Sequence, residues 1–190
     1  MNTVGTQPEP LRHAPLWPLS VAAYRALGET GLIPKNTELL FGFVYRKMSK
    51  SPFHSFLVTR LARLLQATLP SGCILRTEQP VTCIDSEPEP DLAVIRGREE
   101  EFSEDHPHGA ELVIEVCITS HDYDRSKIEA YAAGGVKECW LVLGPEKQIE
   151  VYRLPVDGNF GERSAHGPGG RLHSHSVPSL AVDLDTLFAR

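Results

Sequence analysis

The chain has 190 residues, 41% of them hydrophobic, and its formal net charge is -6 at pH 7. This length suits one globular domain with a substantial core. The acidic total argues against a protein that binds nucleic acid through a general basic coat, although a local basic groove or a metal-bridged phosphate contact stays compatible with it.

Compartment and redox state follow from what the chain lacks. No stretch approaches the roughly 20 apolar residues that a membrane span needs, and the first 20 residues contain no apolar run typical of a signal peptide. None of the four cysteines is in CxxC spacing, which favours buried free thiols over disulfides or zinc. We therefore predict a cytoplasmic protein.

The N-terminal part predicts an arm, a helix, a hairpin and a second helix. Residues 1–18 are rich in proline and polar residues, so we expect a flexible arm before a single domain at 19–190. The next elements are a short helix at 19–31, a hairpin at 37–48 and a long helix at 52–69. Ser20 is a suitable N-cap, Gly42 suits the tight turn, and Phe and Leu recur along one stripe of the long helix.

The C-terminal part predicts mainly strands, at 73–84, 91–97, 111–118, 139–144 and 148–154. A helix at 122–135 separates the third and fourth of them and predicts a βαβ crossover. An acidic loop is predicted at 98–109, a Gly/His/Pro-rich turn region at 157–176, and a strand or short helix at 180–188. Together these elements predict an α/β fold with a mixed central sheet and a helix on each face.

Two carboxylates lie where a buried strand should be apolar. Asp91 opens the run Leu-Ala-Val-Ile at 92–95, and Glu115 interrupts the apolar run at 112–117. A buried carboxylate is costly unless it is paired, hydrogen-bonded or bound to a cation, and two that converge repel each other without a cation between them. If the strands are neighbours, they predict a Mg²⁺ or Mn²⁺ site suited to phosphate substrates. The alternatives are a turn residue for Asp91 and a buried ion pair for Glu115.

Lys127 and Glu38 are the next candidates. Lys127 shares a helix face with Asp124 and Tyr131, in the first turn of a helix that follows the Glu115 strand. There an ammonium is suited to orient a water or to stabilise developing negative charge. The alternative is a solvated lysine paired with Asp124 or Glu129. Glu38, at the start of the hairpin, is either a further acid of the site or a surface residue.

Other polar and aromatic residues favour ordinary roles. Tyr131 and Trp140 are expected in the core, with substrate contacts as the alternative. His54 is expected on the surface opposite the apolar stripe of the long helix, with an approach to the site as the alternative. The histidines at 171–176 have no nearby Cys or acid partners, which disfavours a metal site. A phosphate-facing patch, with an ordinary charged surface as the alternative, would consist of Arg46, Lys47, Lys50, Arg60 and Arg63.

The order and spacing of several motifs resemble a known family. They are TELLFGFVYRKMSKSPFHSFLVTRLARLL, PDLAVI, LVIEVCITS followed by DRSK and YAAGGVKECWLV, and PSLAVDLDTLF. This series resembles the Uma-type family of restriction endonucleases, which belongs to the PD-(D/E)XK nuclease superfamily. The resemblance covers roughly residues 19–188 and implies a restriction-endonuclease-like fold with a mixed central sheet flanked by helices.

The resemblance also implies a catalytic set. Asp91 matches the motif aspartate, Glu115 the acidic residue of (D/E)XK, and Glu38 an early glutamate ahead of the sheet. The pattern has lysine two residues after the acid, where this chain has Cys117; the family resemblance places the lysine on the following helix, at Lys127.

The predicted function is a Mg²⁺-dependent (or Mn²⁺-dependent) endonuclease that hydrolyses phosphodiester bonds in DNA. Asp91, Glu115 and a main-chain carbonyl near Val116 or Cys117 are the predicted metal ligands, with Lys127 as the catalytic lysine. A homodimer is expected, because double-strand cleavage in this superfamily usually needs two active sites. The alternatives are a non-catalytic nuclease-fold protein with a structural or regulatory binding role, and a metal-dependent hydrolase of small phosphate substrates.

Overall fold

A six-stranded mixed sheet lies at the centre of the computed structural model, which describes residues 15–119 and 121–189. The helices are α1 (Val21–Glu29), α2 (Pro52–Gln66), α3 (His121–Ala133) and α4 (Leu184–Phe188). The strands are β1 (Thr37–Leu40), β2 (Phe43–Arg46), β3 (Cys73–Thr77), β4 (Leu92–Arg96), β5 (Leu112–Cys117), β6 (Glu138–Leu143), β7 (Gln148–Val156), β8 (Asn159–His166), β9 (Arg171–His173) and β10 (Ala181–Asp183). Most of the predicted arm, at 1–14, lies outside the described residues.

The central sheet has the order β3-β4-β5-β6-β7-β8. Strands β5 and β6 pair in parallel, and each of the other neighbouring strands pairs antiparallel. Helix α3 connects β5 to β6, which confirms the predicted crossover. The hairpin β1–β2 and the pair β9–β10 form separate two-stranded sheets.

The sheet buries both faces, as its apolar strands predict. On one face the stripe Leu57, Leu61 and Leu65 of α2 packs with Ile114 and Trp140. The other face packs against α3 through a second cluster that includes Tyr131, Val113 and Leu141. Strand residues alternate between the clusters because successive side chains point to opposite faces. The core positions of Tyr131 and Trp140, and the mixed α/β fold, are confirmed.

All four cysteines are free thiols, as predicted, and three of them are buried. The exception in burial is Cys73, which is partly exposed. Burial raises the pKa of the Cys83 thiol to about 12, so this thiol is held in its neutral, unreactive form. Within the described ranges, no helix is both long enough and apolar enough to cross a membrane.

Two boundary predictions are wrong. The strand predicted at 73–84 ends at Thr77, because Glu78 adopts a left-handed φ of 53° and Pro80 follows without an amide donor. The turn region predicted at 157–176 contains β8 and β9. Asp157 and Gly158, with φ of 49° and 77°, form the two-residue turn between β7 and β8. An Asp-Gly pair strongly predicts a hairpin turn, but the predicted turn region at 157–176 did not take it into account.

Glu138 is a buried acid that fastens the C-terminal part of the chain to the sheet. Its carboxylate accepts hydrogen bonds from the Trp140 indole and the Arg153 guanidinium. The main-chain amides of His175 and Ser176 also donate to it, at 2.7 and 3.0 Å. The segment at 171–176 therefore has a structural role, which its main-chain amides fulfil by binding Glu138.

Candidate active site

The sheet register places Asp91 and Glu115 side by side. Leu92 pairs with Ile114 between the antiparallel strands β4 and β5, so the two acids lie at the same end of that pair. The Val116 amide donates to Asp91 Oδ2 at 2.8 Å. Glu115 faces α3, because its neighbours Ile114 and Val116 point into the α2-side core. Both carboxylates are buried and line one pocket.

Lys127 reaches this pocket from α3. Its side chain is 6% exposed, and its Nζ lies 3.0 Å from Glu38 Oε1 and 3.2 Å from Glu115 Oε1. The alternative of a solvated lysine is wrong, because the ammonium is buried between two carboxylates. Its predicted position in the first helical turn is also wrong: α3 begins at His121, which puts Lys127 in the second turn.

Glu38 belongs to the same cluster, and the alternative of a surface glutamate is wrong. It is fully buried on β1 and forms an ion pair with Lys127. The Tyr123 hydroxyl donates to Glu38 Oε1 at 2.6 Å, and the Glu89 amide donates to its other oxygen at 3.2 Å. Strand β1 is buried along its whole length. Glu38 therefore lies inside the domain with the other acids, although it is far from them in the sequence.

Two tyrosines of α3 orient the acids. Tyr131 donates its hydroxyl to Glu115 Oε1 at 2.6 Å, and Tyr123 does the same for Glu38. Tyr131 follows Lys127 by one helical turn, so both groups meet the same carboxylate oxygen. The core prediction for Tyr131 describes its ring correctly and omits the role of its hydroxyl.

His54 lies at the pocket, and its predicted surface position is wrong. Its Nε2 is 3.1 Å from Asp91 Oδ2, because the N-terminus of α2 passes over the end of β4. Its Nδ1 is buried and has no hydrogen-bond partner among the residues that the structure describes. Lys50, just before α2, lies 3.4 Å from Asp91 Oδ1 and 2.7 Å from Glu78 Oε1. His54 and Asp91 are 37 positions apart in the sequence. Helical periodicity is a local pattern, so it could not predict this contact.

The charges in the pocket are unbalanced toward the negative. Burial raises the pKa of Glu115 to about 8, with Lys127 opposing the rise and Asp91 adding to it. Burial acts to lower the pKa of Lys127, but the charges of Glu115 and Glu38 outweigh it and hold that pKa above its ordinary value. The His54 contact holds the pKa of Asp91 below its ordinary value despite burial. Glu38, Asp91 and Glu115 thus crowd around the buried Lys127 ammonium, and a cation bound beside them would favour the ionised form of Glu115.

The donor chemistry fits a hard divalent cation. The acids supply only oxygen donors, and Mg²⁺ is typically held by one or two carboxylates with several waters. The Cys117 carbonyl accepts from the Gly144 amide at 3.0 Å, which leaves the Val116 carbonyl as the better main-chain candidate. Over residues 15–119 and 121–189, no three His, Cys, Asp or Glu side chains are grouped closely enough to form a ready metal centre. The Lys127 ammonium pairs with two of the acids instead.

The predicted basic patch is divided in two. Lys47 and Lys50 line the pocket, and Lys47 pairs with Glu89 at 2.8 Å. Arg60 and Arg63 line a separate groove on the outer side of α2. Arg60 also donates to main-chain carbonyls of α4. Its side chain therefore links α2 to α4 in addition to lining the groove.

Comparisons with known proteins give one family and one fold. The model of a family described as "Uma2: Putative restriction endonuclease" matches residues 32–185, a range that includes all four clustered residues. A similar solved structure is a "putative nuclease belonging to DUF820" from Anabaena variabilis ATCC 29413, with TM-score 0.72 and 20% identity. The match covers 86% of this chain and 97% of that one, and at this identity it shows a shared fold. No protein of curated function matches the sequence.

Proposed function

Because this chain belongs to the Uma2 family, whose description is "Putative restriction endonuclease", we propose that it is a Mg²⁺- or Mn²⁺-dependent endonuclease that hydrolyses phosphodiester bonds in DNA. One observation carries the proposal: Glu38, Asp91, Glu115 and Lys127 converge in a single pocket. Nucleases of this class typically use divalent metals, and the cluster of buried acids in the pocket supports the same need here.

The acids of the pocket would hold the cation. Asp91, Glu115 and the Val116 carbonyl are the proposed ligands, and Glu38 would support the ion or one of its waters. When bound, the ion supplies Lewis-acid stabilisation of phosphate oxygens and lowers the pKa of an attacking water. The Val116 amide and His54 keep Asp91 oriented toward the pocket.

Lys127 would carry the charge-stabilising role. Its ammonium is positioned by two carboxylates and is fully protonated at neutral pH, since those carboxylates raise its pKa. A fixed cation stabilises the negative charge that develops on phosphate oxygens, and it can also orient the attacking water. Lys127 thus takes the place of the lysine that the superfamily pattern puts where this chain has Cys117.

Plasmid cleavage tests the proposal. The wild-type protein is incubated with supercoiled, linear and single-stranded DNA in Mg²⁺, in Mn²⁺ and in EDTA. Cleavage is expected only with the metals, and Glu115→Ala is expected to abolish it. Glu111→Ala is the matched control, because Glu111 is a buried acid adjoining β5 that pairs with Lys137 and Arg96 away from the pocket. Undiminished cleavage by Glu115→Ala would refute the proposed active site.

A second candidate is a non-catalytic nuclease-fold protein with a binding role, which the cysteine at position 117 favours. Calorimetric titration with Mn²⁺ separates the two together with the cleavage assay: metal binding without cleavage supports the second candidate. A homodimer is proposed for double-strand cleavage, and light scattering coupled to gel filtration measures it.

A further inference from the structure

A row of three aromatic side chains, two of them exposed, borders the pocket. In the β1–β2 hairpin, Glu38 pairs with Tyr45 and Leu40 with Phe43. Paired residues of an antiparallel ladder point to the same face, so Phe43 and Tyr45 share a face with Glu38. The Tyr45 ring lies 5.9 Å from that of Tyr123, whose hydroxyl binds Glu38. The row Phe43, Tyr45 and Tyr123, called here the aromatic row, therefore leads to the acids.

The packing of the domain does not explain this row. Phe43 is 39% exposed and Tyr45 is 41% exposed, whereas β1 behind them is fully buried. Met48, which lines the pocket, is also exposed. Large apolar side chains gathered at a polar cleft mark a binding surface more often than a folding requirement.

The hairpin that presents the row is held firmly. Phe41 and Gly42 have φ of 53° and 77°, as a two-residue turn with both central φ positive requires. The turn amides donate to the Ser86 hydroxyl and the Asp85 carbonyl. On its other side, a Cβ at Gly42 would collide with the Cβ of Pro18, so the turn packs closely against that proline. A surface fixed in this way binds with little ordering cost.

Cations adjoin the row in a chain that is acidic overall. Lys47 and Lys50 line the pocket, each paired with an acid, and Arg46 ends β2 in an exposed position. Among the described residues, Arg46 has no acidic partner within ion-pair distance. Aromatic rings beside fixed cations are the combination that holds single-stranded nucleic acid, the rings stacking on bases and the cations following the phosphates.

We propose that the aromatic row is a stacking platform for unpaired bases, so that the substrate is single-stranded or locally unpaired DNA at the point of cleavage. The bases of a duplex are stacked on each other, and their faces meet a protein ring only after unpairing. The proposal rests on the proposed nuclease function and specifies its substrate. It also places the bound strand across the hairpin face, running from Phe43 toward Lys127.

Fluorescence anisotropy in EDTA tests the platform without cleavage. The probes are a labelled oligothymidylate and a duplex of the same length. Phe43→Ala is expected to weaken single-strand binding by about 5- to 150-fold, the range for loss of one base–aromatic stack. Val44→Ala is the matched control, because Val44 is an exposed apolar residue on the opposite face of the same strand. Phe43→Trp is expected to retain the wild-type affinity.

Three results would overturn the platform. The first is equal single-strand affinity of the wild type and Phe43→Ala. The second is an equal loss in Phe43→Ala and Val44→Ala. The third is conversion of a dimer to a monomer by Phe43→Ala in light scattering, which would make the row a contact between two copies of the chain.

Its failure is distinguishable from failure of the nuclease assignment. Phe43-dependent binding without metal-dependent cleavage supports the platform and refutes hydrolysis. Duplex cleavage at an unchanged rate by Phe43→Ala supports hydrolysis and refutes the platform.

Discussion

Lys127→Met removes the ammonium that pairs with Glu38 and Glu115 and keeps a side chain of similar length. Glu38 and Glu115 would then be buried, 1% and 4% exposed, without the cation that lies 3.0 and 3.2 Å from them. Breaking a buried ion pair by removing one partner typically costs about 3–5 kcal/mol of unfolding free energy. In a domain of this size that corresponds to a fall in Tm of about 6–20 °C.

Protonation of the buried acids limits the free-energy cost of Lys127→Met and makes that cost depend on pH. The pKa of Glu115 is raised to about 8 by burial, so this acid binds a proton more tightly in the folded state than in the unfolded one. The protein therefore loses free energy of unfolding as pH rises from the unfolded pKa of this carboxyl, about 4.5, toward its folded pKa. Without Lys127 that pKa rises further, so the deficit of Lys127→Met is expected to widen from pH 6 to pH 9.

Urea denaturation in EDTA, followed by circular dichroism at several pH values, measures this effect. Lys137→Met is the matched control, because Lys137 also pairs with an acid, at 2.7 Å from Glu111, but has a side chain that is 57% exposed. Exposed pairs of this kind are worth about 0–1 kcal/mol. Equal stabilities of the two variants would refute the buried, doubly paired state of Lys127.

Two further substitutions test the framework. Gly42→Ala is expected to destabilise the domain by about 1–3 kcal/mol in a denaturation assay, since the residue has φ of 77° and its new Cβ would collide with Pro18; an unchanged midpoint would contradict the seated turn. Glu138→Gln is expected to cost about 3–5 kcal/mol near neutral pH, because this buried carboxylate pairs with Arg153. Burial opposes ionisation of Glu138, but hydrogen bonds led by the Ser176 amide hold its pKa below the ordinary value. Its contribution is therefore present above about pH 4.5 and lost as pH falls through the folded pKa, so an acid titration that leaves the deficit of Glu138→Gln constant would contradict this account.

The elements with strong periodicity were predictable from the sequence. The Leu stripe of α2 and the apolar runs of β4, β5 and β6 depend on local patterns that tertiary contacts reinforce. Asp91 and Glu115 were predictable for a related reason, because an acid inside an apolar strand stands out against its neighbours. β8 was missed for the opposite reason: its exposed residues alternate weakly, and only the preceding Asp-Gly turn signals it.

The partners of the acids were not predictable from local pattern. His54, Tyr123 and Glu38 reach the pocket from three elements, and their contacts depend on how α2, α3 and the hairpin pack on the sheet. Glu138 was missed because it lies at the first position of β6, where a polar residue is ordinary in a strand. Its burial depends on the loop after β9, which folds back over it.

Plasmid cleavage by the wild type and Lys127→Met in Mg²⁺ is the decisive assay of the proposed catalytic role of Lys127, at a temperature where denaturation shows both proteins folded. Metal-dependent cleavage is expected for the wild type, with a rate about 10²–10³ lower for Lys127→Met, the usual cost of removing a transition-state charge stabiliser. Cleavage by Lys127→Met at the wild-type rate, or no cleavage by the wild type on any DNA form, would contradict this role.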